Sequence, residues 1–298
     1  MSDFTATAAS PLSPLNHHGG SSRLSVWWMI FSTAFSERLV YRGDFALGTL
    51  MRFLPIVTQI FLWWAVFDSI AVEDGNEQRV TIGNFGLSDM IAYYLLTMIA
   101  RAFSSMPGLA SGIALQIREG EIKRYMIQPV DLIGFLFLNR VAHKLTYYII
   151  AAAPFAFVFW LCRDYFEAGF PPPHLFIAFL GSLVMGFAIG FFLEAAIGMI
   201  GFWFLEVSSL LFLYMLFSFF LSGHMFPLSL LPDGIEAFVN FLPLKYLAYF
   251  PAAVFLGKID DADLPKELAI EAAWVLFFVV LCRFALSRGL ARYSGYGG

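Results

Sequence analysis

Residues 175–221 are the feature that most limits how this chain can fold. Across these 47 positions, Glu194 and Glu206 are the only charged side chains. An α-helix rises about 1.5 Å per residue, so one helix of this length would be about twice as long as the hydrocarbon layer is thick. The run therefore predicts two membrane-spanning helices joined by a short turn at residues 198–201.

The composition of the whole chain also indicates a membrane protein. Apolar residues occupy 59% of the 298 positions and charged residues 13%, whereas soluble domains are about half apolar and about a quarter charged. So few polar side chains cannot coat a soluble globule of this size. The net charge of −4 excludes a generally basic nucleic-acid-binding protein, because neutralising phosphates requires a concentration of Lys and Arg.

The apolar runs predict an all-α, polytopic membrane fold with six transmembrane helices, since about 20 apolar residues cross a bilayer. The predicted spans are residues 45–67, 85–106, 133–162, 175–197, 202–221 and 268–287. Residues 23–298 would form one transmembrane domain. The polar residues 1–22, rich in Ser and Pro, are predicted to be a disordered cytoplasmic tail.

The distribution of Lys and Arg predicts the orientation. With the N-terminus in the cytoplasm, twelve of these residues fall inside and five outside, and Arg101 lies at an inner helix end. Cytoplasmic loops carry the excess of positive charge, so both termini are predicted to be cytoplasmic. Cys162 then lies at the outer end of the third span and Cys282 toward the inner end of the sixth, so the two cannot form a disulfide.

Two apolar segments are too short to span. Residues 23–42 place Trp27, Trp28, Phe31 and Phe35 on one helical face, which predicts an interfacial amphipathic helix. It would serve as an anchor or transmit force. Between the fifth and sixth spans, prolines divide the chain into short apolar pieces, which predicts an outer re-entrant helical hairpin acting as a lid or a passive cap. Its marker residues are Gly223, Pro227, Pro232, Pro243 and Pro251.

Charged residues near the inner helix ends are the remaining candidates for function. A buried charge in a membrane is costly, so Arg52, Arg101, Glu194 and Glu206 are candidate functional residues. Because all four lie near helix ends, pairing between helices or snorkelling to the interface is the favoured interpretation. No acid is recognised at mid-depth. The loop at 107–129 carries a further charged cluster, formed by Arg118, Glu119, Gly120, Glu121, Lys123 and Arg124.

The sequence contains no motif for binding a nucleotide or a metal. No Gly-x-x-x-x-Gly-Lys-Ser/Thr loop, His-Glu-x-x-His pair or clustered Cys/His site occurs, and these are the patterns that such chemistry requires. We therefore predict no cofactor, metal site or catalytic residue in this chain.

Several segments, taken in order, resemble the permease subunits of type-2 ATP-binding-cassette (ABC) exporters, in the branch related to daunorubicin-resistance permeases. In residues 117–129, an Arg118-Glu119-Gly120 stretch precedes a hydrophobic pair and a proline, as in the cytosolic segment of that family, although Gln128 stands where the branch often has Arg. Residues 220–232, 242–257 and 288–298 are also similar to that branch.

The resemblance implies that this chain is not an enzyme and that a separate ABC ATPase binds ATP and Mg. It also implies a second permease subunit, identical or homologous, and a location in the bacterial cytoplasmic (inner) membrane. The segments 23–42 and 118–124 would dock the ATPase. Phe- and Met-rich walls would suit an amphipathic or lipid-like substrate. The alternatives are an intramembrane lipid-modifying enzyme and a self-sufficient channel or ion-driven carrier.

Overall fold

The computed structural model describes residues 23–40, 42–74, 81–127, 130–167, 169–204 and 206–293. Within those ranges the regular structure is helical, apart from one isolated bridge between Ile82 and Phe85. This confirms the all-α class. The α-helices are α1 (Arg23–Val40), α2 (Arg42–Asp74), α3 (Leu87–Ser104), α4 (Leu109–Arg118), α5 (Lys123–Met126), α6 (Leu132–Leu161), α7 (Pro173–Met199), α8 (Ser208–Leu221), α9 (Asp233–Phe241), α10 (Tyr249–Phe255) and α11 (Leu264–Arg292).

Four of these helices, α2, α6, α7 and α11, are long and apolar enough to cross a membrane, which indicates a multi-pass membrane protein. The other two predicted spans correspond to shorter or more polar helices. Helix α3 has 18 residues and carries Asp89 and Arg101. Helix α8 has 14 residues, about 21 Å of rise against a hydrocarbon layer of about 30 Å. The six-span count and the re-entrant hairpin therefore stay predictions.

Helices α3 and α7 form the centre of the bundle. Every residue from Met90 to Thr97 of α3 is buried. Small residues on α7 allow its neighbours to approach closely. A Cβ atom at Gly190 would overlap the Ser104 carbonyl group at the end of α3. One at Gly186 would lie 2.9 Å from the carbonyl oxygen of Tyr246, in the 3-10 turn Pro243–Leu247.

Contacts along the helices define their directions. Lys144 near the middle of α6 bonds to Ala102 near the end of α3, whereas Cys162 after α6 packs with Ile91 near the start of α3. These two helices are therefore antiparallel. By contrast, α7 and α11 are parallel, because Ser182 contacts Glu271 and the 3-10 turn after α7 meets Gly289.

The bundle consequently has two distinct ends. Helix α4 packs on the last turn of α7, which runs parallel to α11. Asp131, just before α6, pairs with Arg283 in the second half of α11. Helix α4, the start of α6 and the end of α11 therefore lie together. Helix α1 is at the same end, where Trp27 lies against Gly134. We call this the α4 end. At the opposite end, His174 at the start of α7 lies 3.4 Å from Asp261.

The connection between α7 and α8 differs from the prediction. A turn was expected at residues 198–201, but α7 continues through Met199 into the 3-10 turn Ile200–Phe202, and α8 begins only at Ser208. The physical reason is packing, since a Cβ at Gly198 would come within 3.0 Å of Ala110, and one at Gly201 within 3.2 Å of Ala114. These glycines make room for α4 instead of reversing the chain.

Candidate functional site

Helix α4 and the turn that follows it form a two-faced element at the α4 end. The apolar face is buried: Ile113, Ile117 and Ile122 are each at most 3% exposed. Ile113 and Ile117 approach the glycines near the end of α7. The packing of this face fixes α4 on the bundle, as an amphipathic pattern predicts.

The other face carries the predicted charged cluster, residues 118–124, which we call the charged turn. Helix α4 ends at Arg118, and Gly120 has a φ of +79°, a left-handed conformation that glycine adopts without a steric penalty. The turn leads into α5. Its five charged side chains are all exposed, namely those of Arg118, Glu119, Glu121, Lys123 and Arg124. The charged turn thus presents both acidic and basic side chains to solvent at the end of a helix that is packed on the bundle.

A groove of about 310 Å³ lies beside the charged turn, between α4 and the start of α8. Glu206 and Arg118 both line it. Glu206 is exposed and accepts a hydrogen bond of 2.8 Å from the Ser208 N–H. Hydrogen bonds from the Ser208 hydroxyl and N–H hold the pKa of Glu206 below its usual value, so Glu206 is an anion that caps the connection to α8 and does not lie inside a helix.

A buried polar cluster surrounds the end of α3. Lys144, 7% exposed, donates hydrogen bonds to the carbonyl oxygens of Ala102 and Ser105. Glu194 accepts from the Met106 N–H at 3.3 Å. Three cations, Arg101, Arg140 and Lys144, act electrostatically on the Glu194 carboxylate. The cluster ties α3, α6 and α7 together.

A cavity of about 430 Å³ adjoins this cluster, between α2, α3, α6 and α8. Its polar lining includes Gln59, Arg101 and His224. One guanidinium nitrogen of Arg101 lies 3.3 Å from the Ser218 hydroxyl. The remaining wall is largely apolar and is formed by Pro55, Ile56, Met98, Phe155, Phe219 and Met225, among others.

The predicted interfacial segment is helical as α1. Trp27 packs against α6, while Trp28 is 69% exposed. The Phe31 and Phe35 rings stack at 5.9 Å. Whether α1 lies in a membrane interface stays a prediction. Arg52 lies in α2, but its side chain is outside the described residues, as are the predicted tail and Gln128.

Comparison with known proteins identifies the family. The model of the family described as "ABC-2 family transporter protein" matches residues 53–297, which is most of the chain. This chain belongs to the ABC-2 transporter family. The predicted type-2 ABC permease is thereby confirmed, while the daunorubicin-resistance branch stays a prediction. A search of the curated proteins returned no match.

Membership of the ABC-2 family makes this chain a component of a transport system rather than a catalytic one. It does not support the alternative of a lipid-modifying enzyme. ABC-2 permeases associate with an ABC ATPase, commonly as a dimer, so the exposed charged turn becomes the first candidate for that contact.

The segment between α8 and α11 of this ABC-2 chain, predicted as the outer element, is held against α3 and α11. The hydroxyls of Tyr93 and Tyr94 donate to the carbonyl oxygens of Gly223 and Met225. Gly223 has a φ of +78°. The marker prolines lie before or within the first turns of short helices: Pro227 before the 3-10 turn Leu228–Leu230, Pro232 before α9, Pro243 opening the 3-10 turn Pro243–Leu247, and Pro251 in α10.

Sequence reasoning missed four polar residues of this ABC-2 chain. Gln59 and His224 line the cavity, and Lys144 belongs to the buried polar cluster. Glu271 is fully buried, and its carboxylate accepts a hydrogen bond of 3.0 Å from the Ser182 hydroxyl. Glu271 is seven residues into α11, about 10 Å from its start, so it lies within the predicted sixth span but before its middle. An isolated polar residue in an apolar run was the available indication for Gln59 and Glu271.

Proposed function

We propose that this chain is the permease subunit of an ABC exporter and forms half of its translocation pathway. A second permease chain, identical or homologous, would form the other half. Each would bind a separate ABC ATPase, on which ATP and Mg are bound and hydrolysed. The complex would lie in the bacterial cytoplasmic membrane, with the α4 end in the cytoplasm.

The charged turn carries this proposal. Helix α4, which precedes the turn, packs its apolar face on α7, while the charged side chains of the turn face solvent. A movement of a bound ATPase would therefore be transmitted through α4 to α7. Through Gly190 and Glu194, α7 contacts the end of α3, which lines the cavity. Nucleotide binding could therefore bias the helices between two arrangements, provided that the ATPase binds them with different affinities.

The test is a charge reversal at the charged turn. Lys123→Glu combined with Arg124→Glu should reduce co-purification of the ABC ATPase from native membranes, and should lower transport-linked ATP hydrolysis, because complementary charges would become repulsive. The loss should be greatest at low ionic strength, where exposed charges are least screened.

A matched double variant at the opposite end provides the control. Arg163→Glu with Lys266→Glu makes the same change in net charge on exposed side chains and should leave the complex intact. Equal ATPase recovery with the two double variants would exclude the charged turn as the contact. Failure of the wild-type chain to recover any ATPase would refute the proposed function itself.

A further inference from the structure

The polar cavity adjoins an apolar groove, and together they have the form of a site for an amphiphile. The groove, of about 400 Å³, runs between α3 and α6. It shares Ala102 and Phe155 with the cavity. Its lining is apolar except for Tyr148, whose hydroxyl donates to the Ala102 carbonyl at 2.8 Å. The lining residues are Ile99, Ala102, Phe103, Tyr148, Ala151, Ala152, Phe155, Ala156 and Phe159.

Two residues that line the cavity each carry a buried polar atom with no hydrogen-bond partner among the described residues. These atoms are Gln59 Oε1 and His224 Nδ1. Buried polar groups are normally hydrogen-bonded, so each such atom calls for an explanation. Both residues can offer an N–H: the Gln59 amide after rotation about its last bond, and the neutral imidazole from Nδ1. Rotation of either side chain toward the cavity would bring its N–H within reach of a bound acceptor.

The charge near the cavity favours an anion. Arg101 lines the cavity, and its charge also acts on His224. In the adjoining cluster, three cations face the single Glu194 carboxylate. Lys144 donates to the carbonyl groups at the end of α3, and Arg101 lines the cavity.

We propose that the cavity and groove bind an anionic amphiphile, with its phosphate or carboxylate headgroup between Gln59, Arg101 and His224. Its alkyl chain passes Phe155 and lies along the groove between α3 and α6. This assigns a substrate class to the exporter and so rests on the proposed function, but the binding step requires no ATPase.

The experiment is competitive photolabelling of the purified full-length chain in dodecyl maltoside. The probe is a hexadecyl phosphate with a diazirine at mid-chain, and the matched probe carries zwitterionic phosphocholine on the same chain. The phosphate probe should label peptides covering residues 99–103 and 148–159, and unlabelled hexadecyl phosphate should compete. Arg101→Gln should weaken competition roughly tenfold or more, as expected for loss of a charge-assisted hydrogen bond, and Arg101→Lys should restore part of it.

Two further variants keep the test decisive if Arg101→Gln unfolds. Gln59→Leu should weaken headgroup binding, and Phe155→Trp should narrow the passage to the groove and reduce labelling there. Arg163→Gln, at the opposite end, is the control and should label as wild type. Melting temperatures measured in parallel identify variants that lose labelling through unfolding.

Equal labelling by the phosphocholine probe, unchanged in Gln59→Leu and Arg101→Gln, would overturn the proposal. Full competition by inorganic phosphate alone would also overturn it, because the site would then hold a small anion. A chain that recovers its ATPase but fails these tests would refute only this inference. A chain that binds the probes as predicted but recovers no ATPase in the co-purification would refute the proposed function and leave the binding site standing.

Discussion

Glycine has two different uses within α7, and the two can be separated by experiment. Gly190 lies where the backbone of α3 comes close, so a methyl group there would overlap the Ser104 carbonyl. Gly181, nine residues earlier in the same helix, has nothing within 4 Å of the position of a Cβ. The first glycine permits a helix contact, whereas the second has no neighbour that requires it.

Gly190→Ala should lower the free energy of unfolding by about 1–3 kcal/mol, the usual cost of overpacking a tight contact. Gly181→Ala should leave stability unchanged or raise it by up to about 1 kcal/mol, because alanine is the better helix former. Thermal unfolding of the two variants in the same detergent measures both values. Equal stability of the two variants would contradict the close contact between α3 and α7.

At the scale of elements, the start of α6 depends on one side chain. Asp131 precedes the helix, accepts a hydrogen bond of 2.7 Å from the Gly134 N–H and pairs with Arg283 of α11. Partial burial raises the pKa of Asp131, but the hydrogen bonds from Arg283 and Gly134 outweigh burial and place it below its usual value. The carboxylate thus joins a helix cap to a contact between helices.

Asp131→Ala should cost about 1 kcal/mol of stability through loss of the cap. Asp131→Asn should cost less, since an amide oxygen still caps the helix and the ion pair is partly exposed and screened.

Because the folded-state pKa of Asp131 is depressed, the stability from its charge is present above the unfolded pKa of about 3.9 and is lost as the pH falls through the folded value. As the pH is lowered from 7 to 3, the free energy of unfolding of the wild type should therefore approach that of Asp131→Asn. A constant difference between the two across that range would exclude the ionised Asp131 as its source.

The elements also show how far the sequence alone could lead. Long apolar runs predicted helices that the structure places within a few residues for α6 and α7, because burial in a bilayer demands such runs. The turn at residues 198–201 was placed too early, since Gly198 and Gly201 contact α4, which precedes them by more than 80 positions. Contacts of this range leave no local pattern, and for the same reason the cavity formed by Gln59, Arg101 and His224 was not foreseen.

At the scale of the whole molecule, the arrangement of the ends constrains the path through the membrane. Helix α1, the charged turn and the last turn of α11 share the α4 end, while residues 259–263 lie at the opposite end. The excess of Lys and Arg predicted for the cytoplasmic side falls at the α4 end, which carries Arg118, Lys123, Arg124, Arg283 and Arg292. If α11 crosses the bilayer, its two ends must face different compartments.

Single cysteines at the two ends of α11 test this arrangement. Ala262→Cys and Ala291→Cys introduce the same change at exposed positions, and Glu121→Cys reports on the charged turn. The natural Cys162 and Cys282 are free and buried, so their thiols should react slowly with a maleimide.

A membrane-impermeant maleimide applied to spheroplasts should label Ala262→Cys at once. It should label Ala291→Cys and Glu121→Cys only after the membrane is opened. Labelling of Glu121→Cys in intact spheroplasts would place the charged turn outside, where no ATPase could reach it, and an unlabelled Ala262→Cys would show that α11 does not cross in the predicted direction.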